Sequence, residues 1–386
     1  MMIKALAGLT LSLGIALGTF SPALSTIPLE IVDLEQSEDL GLDGQIWGMN
    51  GEKGDRQALL SAIDNSLRYL RSPKAVAAYR QYRVSGITRD RVIRSLTRFR
   101  QLVLSSDSPE ELQAAVQREF VFYQAAGKDG EGTVGFTGYF EPTYQASRRQ
   151  TAEYRYPLYR LPSNFASWQR PHPTRLELEG EDGKTIDRRL RGLELVWLRD
   201  RLEAFLVQIQ GSARLQLTDG SEMTVGFAGK TDRPYTSIGR ELVNDGKMLL
   251  EGLTLPAVMQ YFKSAPEEMN LYLPRNPSFV FFRETGGTSA IGSLGLPVTA
   301  ERSIATDKSL MPPGALALIR AQIPFPDQVG QLEQRLVSRY VLDQDTGGAI
   351  KGPGRVDIFM GTGTMAGDRA GLINSNGQLY YLLLKN

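Results

Sequence analysis

The chain lacks cysteine altogether and has a single histidine, His172, among its 386 residues. Without thiols it can form no disulfide, no cysteine nucleophile and no cysteine-based zinc site. His172 lies in "RPHPTR", which predicts a solvated loop, so a Ser-His-Asp triad could be built only on that residue. An HExxH zinc motif is impossible with one histidine. Acid–base chemistry near neutral pH is left to Asp, Glu, Lys or Tyr.

The chain also lacks an excess of charge of either sign. Forty-four Lys and Arg residues stand against 43 Asp and Glu, a formal net charge of +1. A protein that binds a phosphate backbone needs a broad basic surface. We therefore expect no nucleic-acid partner.

The first 25 residues predict a signal peptide rather than part of the fold. Lys4 supplies a positive start, "ALAGLTLSLGIALGTF" an uncharged stretch, and Ala23 and Ser25 a pair of small residues suited to cleavage. The apolar run is short for a membrane span of about 20 residues, so an uncleaved anchor is the alternative. We expect an exported protein, periplasmic or associated with an outer membrane, and not lipidated through a cysteine.

The rest of the chain is long enough for two domains of about 100 to 200 residues. Residues 26–54 are predicted to be a polar linker. Apolar residues recur at helical spacing from Asp55 to about Leu104, and Ser108, Pro109 and Glu111 predict a capping box that starts a further helix through "EELQAAVQREFVFYQAA". "PYTSIGRELVNDGKM" and "LPAVMQYFKSAPEEM" are predicted to be short helices.

After Gly127 the pattern is that of strands, which predicts a mainly β (α+β) fold with N-terminal helices. The predicted strands are rich in β-branched and aromatic residues and are separated by Gly, Asp and Pro. They are "GTVGFTGYFEPTYQAS", "RYPLYRLP", "RRLRGLELVWL", "AFLVQIQGSARLQL", "SEMTVGFAGK", "SFVFFRE", "GALALIRAQI" and "GQLYYLLLK".

The triplet Asp345-Thr346-Gly347 is the loop that presents a catalytic carboxylate in aspartic peptidases. Such an enzyme needs two carboxylates about 3 Å apart, hence two such loops, and the chain has one. Asp345 could instead only brace a turn. A third interpretation pairs it with Asp357 of the predicted strand "RVDIF", as an acid–base site beside a glycine turn.

The glycine-rich "GTGTMAG" is a weak indication of nucleotide binding. It has no P-loop lysine followed by Ser or Thr, and no helix-forming run follows it directly.

Ordered motifs over about residues 75 to 384 resemble the membrane-bound lytic murein transglycosylase A family. They are "GFTGYFEP", "PLYRLP", "FLVQIQGSARLQLTDG", "GFAGKTDRPYTSIGREL", "NPSFVFFRE", "GSLGLPVTAERSIATD" and the C-terminal "DQDTGGAIKGPGRVDIFMG" with "AGLINSNGQLYYLLLK". The last two belong to a region similar to the 3D domain, named for three aspartates, which match Asp307, Asp345 and Asp357 here.

The resemblance implies a peptidoglycan-cleaving lyase. The family breaks the β-1,4 bond between N-acetylmuramic acid and N-acetylglucosamine and leaves a 1,6-anhydromuramoyl end. It implies a double-psi β-barrel built from residues 55–142 and 275–386, a second β-barrel-like domain inserted over residues 143–274, and a glycan groove between the two. No cofactor or metal is expected. Cell-wall synthases or amidases are possible partners, and a non-catalytic peptidoglycan-binding module is the alternative function.

By the same resemblance, Asp357 is the catalytic acid and base, and Asp345 and Asp307 support it. Thr137, Tyr139 and Glu141 alternate along one predicted strand, so they would share a face that lines the groove. Gln208 and Gln210 would likewise share a strand face, followed by Ser212. Tyr235 and Lys351 complete the predicted glycan contacts.

Overall fold

The computed structural model describes residues 27–33, 40–48, 53–287 and 290–385. The predicted signal peptide, residues 1–25, lies outside them. No helix of the described ranges is both long and apolar enough to cross a membrane.

The described residues contain fourteen β-strands, most of them after Gly127 as predicted. They are β1 Leu29–Val32, β2 Phe120–Ala125, β3 Val134–Glu141, β4 Thr143–Ser147, β5 Tyr156–Tyr159, β6 Glu194–Leu198, β7 Ser212–Leu217, β8 Glu222–Lys230, β9 Val280–Glu284, β10 Ser303–Ala305, β11 Leu316–Pro326, β12 Leu332–Asp345, β13 Arg355–Thr362 and β14 Asn374–Leu384.

The described residues also contain ten α-helices. They are α1 Arg56–Leu70, α2 Pro73–Gln81, α3 Arg89–Ser105, α4 Pro109–Glu119, α5 Arg175–Glu179, α6 Arg201–Gln210, α7 Ile238–Asn244, α8 Leu255–Ser264, α9 Met269–Tyr272 and α10 Thr364–Gly371. Short 3-10 helices cover Gly44–Ile46, Phe165–Ser167, Leu250–Gly252, Pro266–Glu268 and Leu273–Arg275.

Six strands form a closed barrel in the order β14-β11-β12-β10-β13-β3, because β14 pairs again with β3. Residues 374–377 of β14 pair with β3, and residues 378–381 pair with β11. The β10–β12 and β13–β3 pairs are parallel, and the other barrel pairs are antiparallel. This confirms the predicted mainly β fold with a barrel; the double-psi crossing itself stays a prediction.

A second sheet has the strand order β5-β6-β4-β7-β8-β9 and its own apolar core, which includes Leu158, Val196, Leu215 and Val225. A single bridge between Arg160 and Phe282 brings the two edge strands together. All six strands come between β3 and β10 along the chain, so the sheet is inserted into the barrel. Because β9 pairs with β8, the sheet continues to Glu284. The predicted end of the inserted domain, at residue 274, would leave this last strand outside it.

The N-terminal helices pack on the barrel as the apolar spacing predicts. Leu59 of α1 and Phe99 of α3 are fully buried in one core with barrel residues such as Leu316 and Tyr381. Burying such side chains is favourable by about 1.5–3 kcal/mol each. The helices therefore form part of the barrel's core rather than a separate domain.

The helix that begins at Pro109 is shorter than predicted. Ser108 accepts the backbone N–H of Glu111, but the Glu111 carboxylate accepts from Asp107 rather than from Ser108, so the capping box is incomplete. The helix ends at Glu119, and Phe120 begins β2. The "FVFYQA" segment is rich in aromatic residues, which favour strands, and pairing with β14 makes it a strand.

The predicted strand "AFLVQIQGSARLQL" is wrong in its first half, which belongs to α6. Asp200 caps this helix by accepting the N–H groups of Leu202 and Glu203. Gly211 ends it in the left-handed conformation, at a φ of +80°, which glycine adopts without a steric penalty. The sequence "SARLQL" then forms β7 as expected.

The segment predicted as a polar linker is partly structured. It contributes β1, a 3-10 helix, and Asp43, whose carboxylate pairs with the fully buried guanidinium of Arg302. Asp55, just before α1, pairs with the same guanidinium at 2.6 Å. Separating Arg302 from either carboxylate would leave an uncompensated buried charge. The two ion pairs therefore hold Asp43 and Asp55 against the barrel.

Closure by β14 depends on Gly377, where the strand passes from β3 to β11. A Cβ atom there would overlap the carbonyl oxygen of Arg320 on β11. We expect Gly377→Ala to lower the free energy of unfolding by about 1–3 kcal/mol, measured by urea denaturation. Gly252→Ala, where a Cβ meets open space, is the matched control. Equal stability of the two variants would contradict this account.

Candidate functional site

Barrel closure places Asp357 of β13 directly beside Thr137 of β3. The two residues are register partners in a parallel pair, and the Thr137 hydroxyl donates to Asp357 Oδ1. Arg355 Nε donates to the same oxygen at 3.1 Å, and Arg355 Nη2 donates to Thr137 Oγ1 at 2.9 Å. The three side chains therefore form a closed triangle of polar contacts.

The Asp357 carboxyl faces a partly open space. Its neighbours Val356 and Ile358 are fully buried on the other side of the strand, as the alternation predicts, while the Asp357 side chain is 19% exposed. Oδ1 takes both contacts from Thr137 and Arg355. Within the described residues Oδ2 has no hydrogen-bond partner.

Asp345, at the end of β12, is held on both oxygens. Oδ1 accepts the N–H groups of Ser293 and Thr346, each at 2.8 Å, and Oδ2 accepts the Tyr139 hydroxyl at 2.8 Å. Burial raises the pKa of Asp345, although these three donors oppose the shift. No second carboxyl group in the described ranges bonds to it, so the site is not the proton-sharing pair of an aspartic peptidase.

Asp307, the first of the three aspartates, also has both oxygens bonded. Ser309 donates its N–H at 3.1 Å and its hydroxyl at 2.6 Å to Oδ1, and Gly352 donates its N–H at 2.9 Å to Oδ2. Burial opposes ionisation, but these hydrogen bonds and the charge of Lys351 leave the pKa of Asp307 below its usual range. Asp307 therefore holds the loop between β12 and β13, and it does not bond to Asp357.

The inserted part of the chain faces this loop. Burial raises the pKa of Tyr235, and the charge of Asp357 adds to the shift, so Tyr235 lies near the triangle although it follows β8. Lys230 Nζ lies 2.8 Å from where a Cβ atom of Gly348 would be. Burial and the nearby Lys351 lower the pKa of Lys230. Lys230, at the end of β8, thus lies against the loop between β12 and β13, and Tyr235 is close enough to feel the charge of Asp357.

Glu141 does not line the groove, against the prediction. Its side chain is 1% exposed, and it accepts the Thr362 hydroxyl at 2.9 Å with Arg214 Nε at 3.7 Å. Burial raises the pKa of Glu141. The register of the β3–β13 pair shifts between Phe359 and Thr362, so the alternation that exposes Thr137 does not continue to Glu141.

The glutamines and Ser212 also lie differently from the prediction, because the segment is helical up to Gln210. Gln210 Oε1 accepts the N–H of Phe140 at 3.1 Å and so joins α6 to β3. Gln208 is buried and accepts from Arg175 at 2.9 Å. Ser212 is buried at the start of β7. These contacts are internal to the protein.

His172 is buried, so the prediction of a solvated loop residue is wrong. Its ring packs on Phe165 with centroids 4.7 Å apart, and Nδ1 accepts the N–H of Asp232 at 3.1 Å. No serine hydroxyl of the described chain bonds to it, so it is a packing residue and not a triad base. Trp168 covers its other side.

Sequence reasoning missed Arg355, although alternation along β13 places it two residues from Asp357 on the same face. It also missed the helix after "GTG", since α10 begins at Thr364. The described residues contain no group of three or more His, Cys, Asp or Glu residues that could hold a metal ion.

The hydroxyl of Tyr139 is expected to stabilise the fold through Asp345. Tyr139→Phe leaves a buried carboxyl with one donor fewer, so the free energy of unfolding should fall by about 1–3 kcal/mol. Tyr159→Phe is a matched control, because the Tyr159 hydroxyl is buried without a hydrogen-bond partner among the described residues. Denaturation of both variants tests this; a loss no larger in Tyr139→Phe than in the control would contradict it.

Comparison with known proteins matches this architecture. Residues 135–283 match a family model described as the MltA specific insert domain, and residues 302–383 match the 3D domain. Membrane-bound lytic murein transglycosylase A of Escherichia coli K12 is 33% identical over 67% of this chain and 68% of its own length. The Vibrio cholerae relative of the same name is 32% identical over 74% of each chain.

Solved structures agree. E. coli MltA with bound chitohexaose has a TM-score of 0.70 at 26% identity, covering 94% of this chain and 96% of that one. A membrane-bound lytic murein transglycosylase from Agrobacterium tumefaciens has a TM-score of 0.68 at 27% identity, covering 86% and 93%. The chain therefore belongs to the membrane-bound lytic murein transglycosylase A family.

Proposed function

We propose that the protein is a peptidoglycan lytic transglycosylase. It cleaves the β-1,4 bond between N-acetylmuramic acid and N-acetylglucosamine, and it forms a 1,6-anhydromuramoyl end without adding water. Membership of the family supports the substrate and the reaction class.

One observation carries the assignment of Asp357. Both oxygens of Asp307 and of Asp345 accept hydrogen bonds from the protein, whereas Asp357 keeps Oδ2 without a partner in the described residues. A general acid needs an oxygen that can reach the substrate. Asp357 is the aspartate of the three that offers one, and its side chain is 19% exposed.

A single free carboxyl suits an intramolecular reaction. Glycoside hydrolysis ordinarily uses two carboxyl groups about 5–9.5 Å apart, one as acid and one as nucleophile or base. When the C6 hydroxyl of the muramoyl unit is itself the nucleophile, no second carboxyl is needed, and proximity supplies much of the acceleration. Asp345 and Asp307 then position the loop rather than react.

Asp357 alone carries out both proton transfers, first as the acid and then as the base. Protonated Oδ2 gives its proton to the glycosidic oxygen as the bond from that oxygen to C1 breaks. The C6 oxygen attacks C1, and its proton passes to Oδ2. Thr137 donates to Oδ1 throughout, so the carboxyl keeps its orientation in both protonation states.

The groove between the barrel loop and the inserted sheet is the proposed glycan site. The E. coli relative was solved with bound chitohexaose, and we infer that a glycan strand lies in the same groove here. Tyr235 and Lys351 remain candidates for contact with the glycan. Thr137 and Tyr139 act through Asp357 and Asp345, and Gln210 and Ser212 stabilise the groove's wall.

The domain division and location complete the proposal. The inserted sheet, running to Glu284, forms a second domain, and two parallel pairs in an otherwise antiparallel barrel support the double-psi assignment. The relatives are named membrane-bound, and the first 25 residues support export to the periplasm or the outer membrane, without lipidation through cysteine. Cell-wall synthases or amidases are proposed partners.

Asp357→Asn should abolish product formation without unfolding the protein, because the amide cannot exchange the proton. Purified sacculi are incubated with each protein, and the released ends are identified by mass spectrometry. Anhydro ends from the wild type and none from the variant are expected. Anhydro ends released by Asp357→Asn at the wild-type rate would refute its role.

The same experiment separates the alternatives. Ordinary reducing ends from the wild type would make the protein a hydrolase. Binding to sacculi with no cleavage would make it a non-catalytic binding module.

Thr137→Val should lower the rate about tenfold, because the carboxyl loses a donor that orients it. The initial rate of anhydro-product release measures this. Thr218→Val, in an exposed turn of the inserted sheet, is the control and should retain full activity. An unchanged rate in Thr137→Val would show that orientation through Oδ1 does not limit the reaction.

A further inference from the structure

We propose that Arg355 is a positioning residue that holds Asp357 by Oδ1 and stabilises its carboxylate once the proton has left Oδ2. This inference rests on the proposed function of Asp357 and goes beyond it. Nothing in the sequence motifs assigned Arg355 a role.

The geometry of Arg355 is specific to this task. Nε donates to Asp357 Oδ1 and Nη2 to Thr137 Oγ1, so two N–H groups along one edge of the planar guanidinium bind two different side chains. A lysine could reach one of these acceptors but not both in fixed directions. One contact is to Oδ1 and the other is to Thr137, which also donates to Oδ1, so Oδ2 is left without a hydrogen bond from the described residues.

The charge acts in the direction that an acid needs. When Oδ2 gives up its proton, negative charge develops on the carboxyl, and a guanidinium 3.1 Å from Oδ1 stabilises it. The side chains are 39% and 19% exposed, so solvent reduces the effect but does not remove it. The cation thus favours proton donation.

Other groups near Asp357 do not supply this charge. Asp345 is itself acidic and disfavours a second negative charge. Tyr139 and Tyr235 are neutral at physiological pH, since burial raises the pKa of both phenols. Lys351 has no ion-pair partner in the described residues, and its charge acts on Lys230 and Asp307. Arg355 is the cation in direct contact.

An ordinary surface ion pair would contribute little, and the chain offers one for comparison. Arg189 and Asp187 have the same two-residue spacing, a 3.0 Å contact and exposures of 43% and 22%. Unlike Arg355, Arg189 has no bond to a third polar side chain of the site; its guanidinium lies over Trp168 instead. Arg189→Gln is therefore a matched control for the loss of a half-exposed ion pair.

The test compares the pH profiles of full-length wild type, Arg355→Gln, Arg355→Lys and Arg189→Gln. The initial rate of anhydro-product release from sacculi is measured at each pH, and folding is checked by circular dichroism. Without the guanidinium no cation in contact stabilises the developing negative charge, so the alkaline limb of the Arg355→Gln rate profile should move to higher pH while the maximal rate falls about tenfold. Arg355→Lys should keep the limb near the wild-type position and still lose rate.

Two results would overturn the proposal. One is an Arg355→Gln profile with an unmoved limb, whether its rate is unchanged or uniformly reduced, as a purely structural role predicts. The other is the same shift in Arg189→Gln.

A readout without substrate separates this inference from the proposed function. The ¹³C NMR resonance of the Asp357 carboxyl is compared at one pH in the wild type and in Arg355→Gln, where loss of the guanidinium contact should change its chemical shift. A changed chemical shift in a protein that forms no anhydro product would refute the proposed reaction but not the Arg355 contact. An unchanged chemical shift would refute the contact whatever the product.

Discussion

The pairing of β14 with both β11 and β3 is the constraint on which the rest of the structure depends. It closes the barrel, and closure brings β3 to the parallel position beside β13. Thr137 and Asp357 are 220 residues apart in sequence, with the whole inserted sheet between them. Without this closure the Asp357 carboxyl would have neither its hydroxyl donor nor a fixed direction.

A buried polar network holds the end of β12, where the loop between β12 and β13 begins. Asp343 is fully buried, where Lys308, Thr306 and the Tyr381 hydroxyl all donate to it, and burial raises its pKa. Gln344 donates to the backbone of α1 and accepts from Ser303. In an aspartic peptidase apolar residues precede the Asp-Thr-Gly loop and anchor it in the core. Here hydrogen-bonded polar residues, Asp343 and Gln344, precede the triplet and anchor it. A fully paired network of this kind specifies one arrangement, because any shift would leave buried groups unpaired.

The three aspartates divide the work according to their surroundings. Asp307 holds the loop through Gly352, and Asp345 ties the end of β12 to β3 through Tyr139. The oxygens of both carboxyl groups bind protein groups, and these hydrogen bonds stabilise the fold. Asp357 sits on a strand with one oxygen held and the other free, which is the arrangement a proton-transferring group needs. The aspartate of the Asp-Thr-Gly triplet therefore holds a turn, and both of its oxygens are already hydrogen-bonded.

Local patterns in the sequence determined a good part of this protein. Strand alternation predicted that Asp357 faces away from Val356 and Ile358 and that Thr137 and Tyr139 share a face; the apolar periodicity predicted α1 and α3. Ordered motifs identified the family. Alternation could also have pointed to Arg355, which shares the face of Asp357.

Only the tertiary structure decided the rest, because those outcomes depend on contacts between distant residues. Pairing with β14 made a strand of Phe120–Ala125, and a register shift buried Glu141. Phe165 and Trp168 covered His172 in what the sequence presents as a polar loop. Above all, closure of the barrel decided which oxygen of Asp357 is bonded and which is free. A sequence specifies the side chains of a site, but hydrogen bonds between its strands set the direction in which each side chain points.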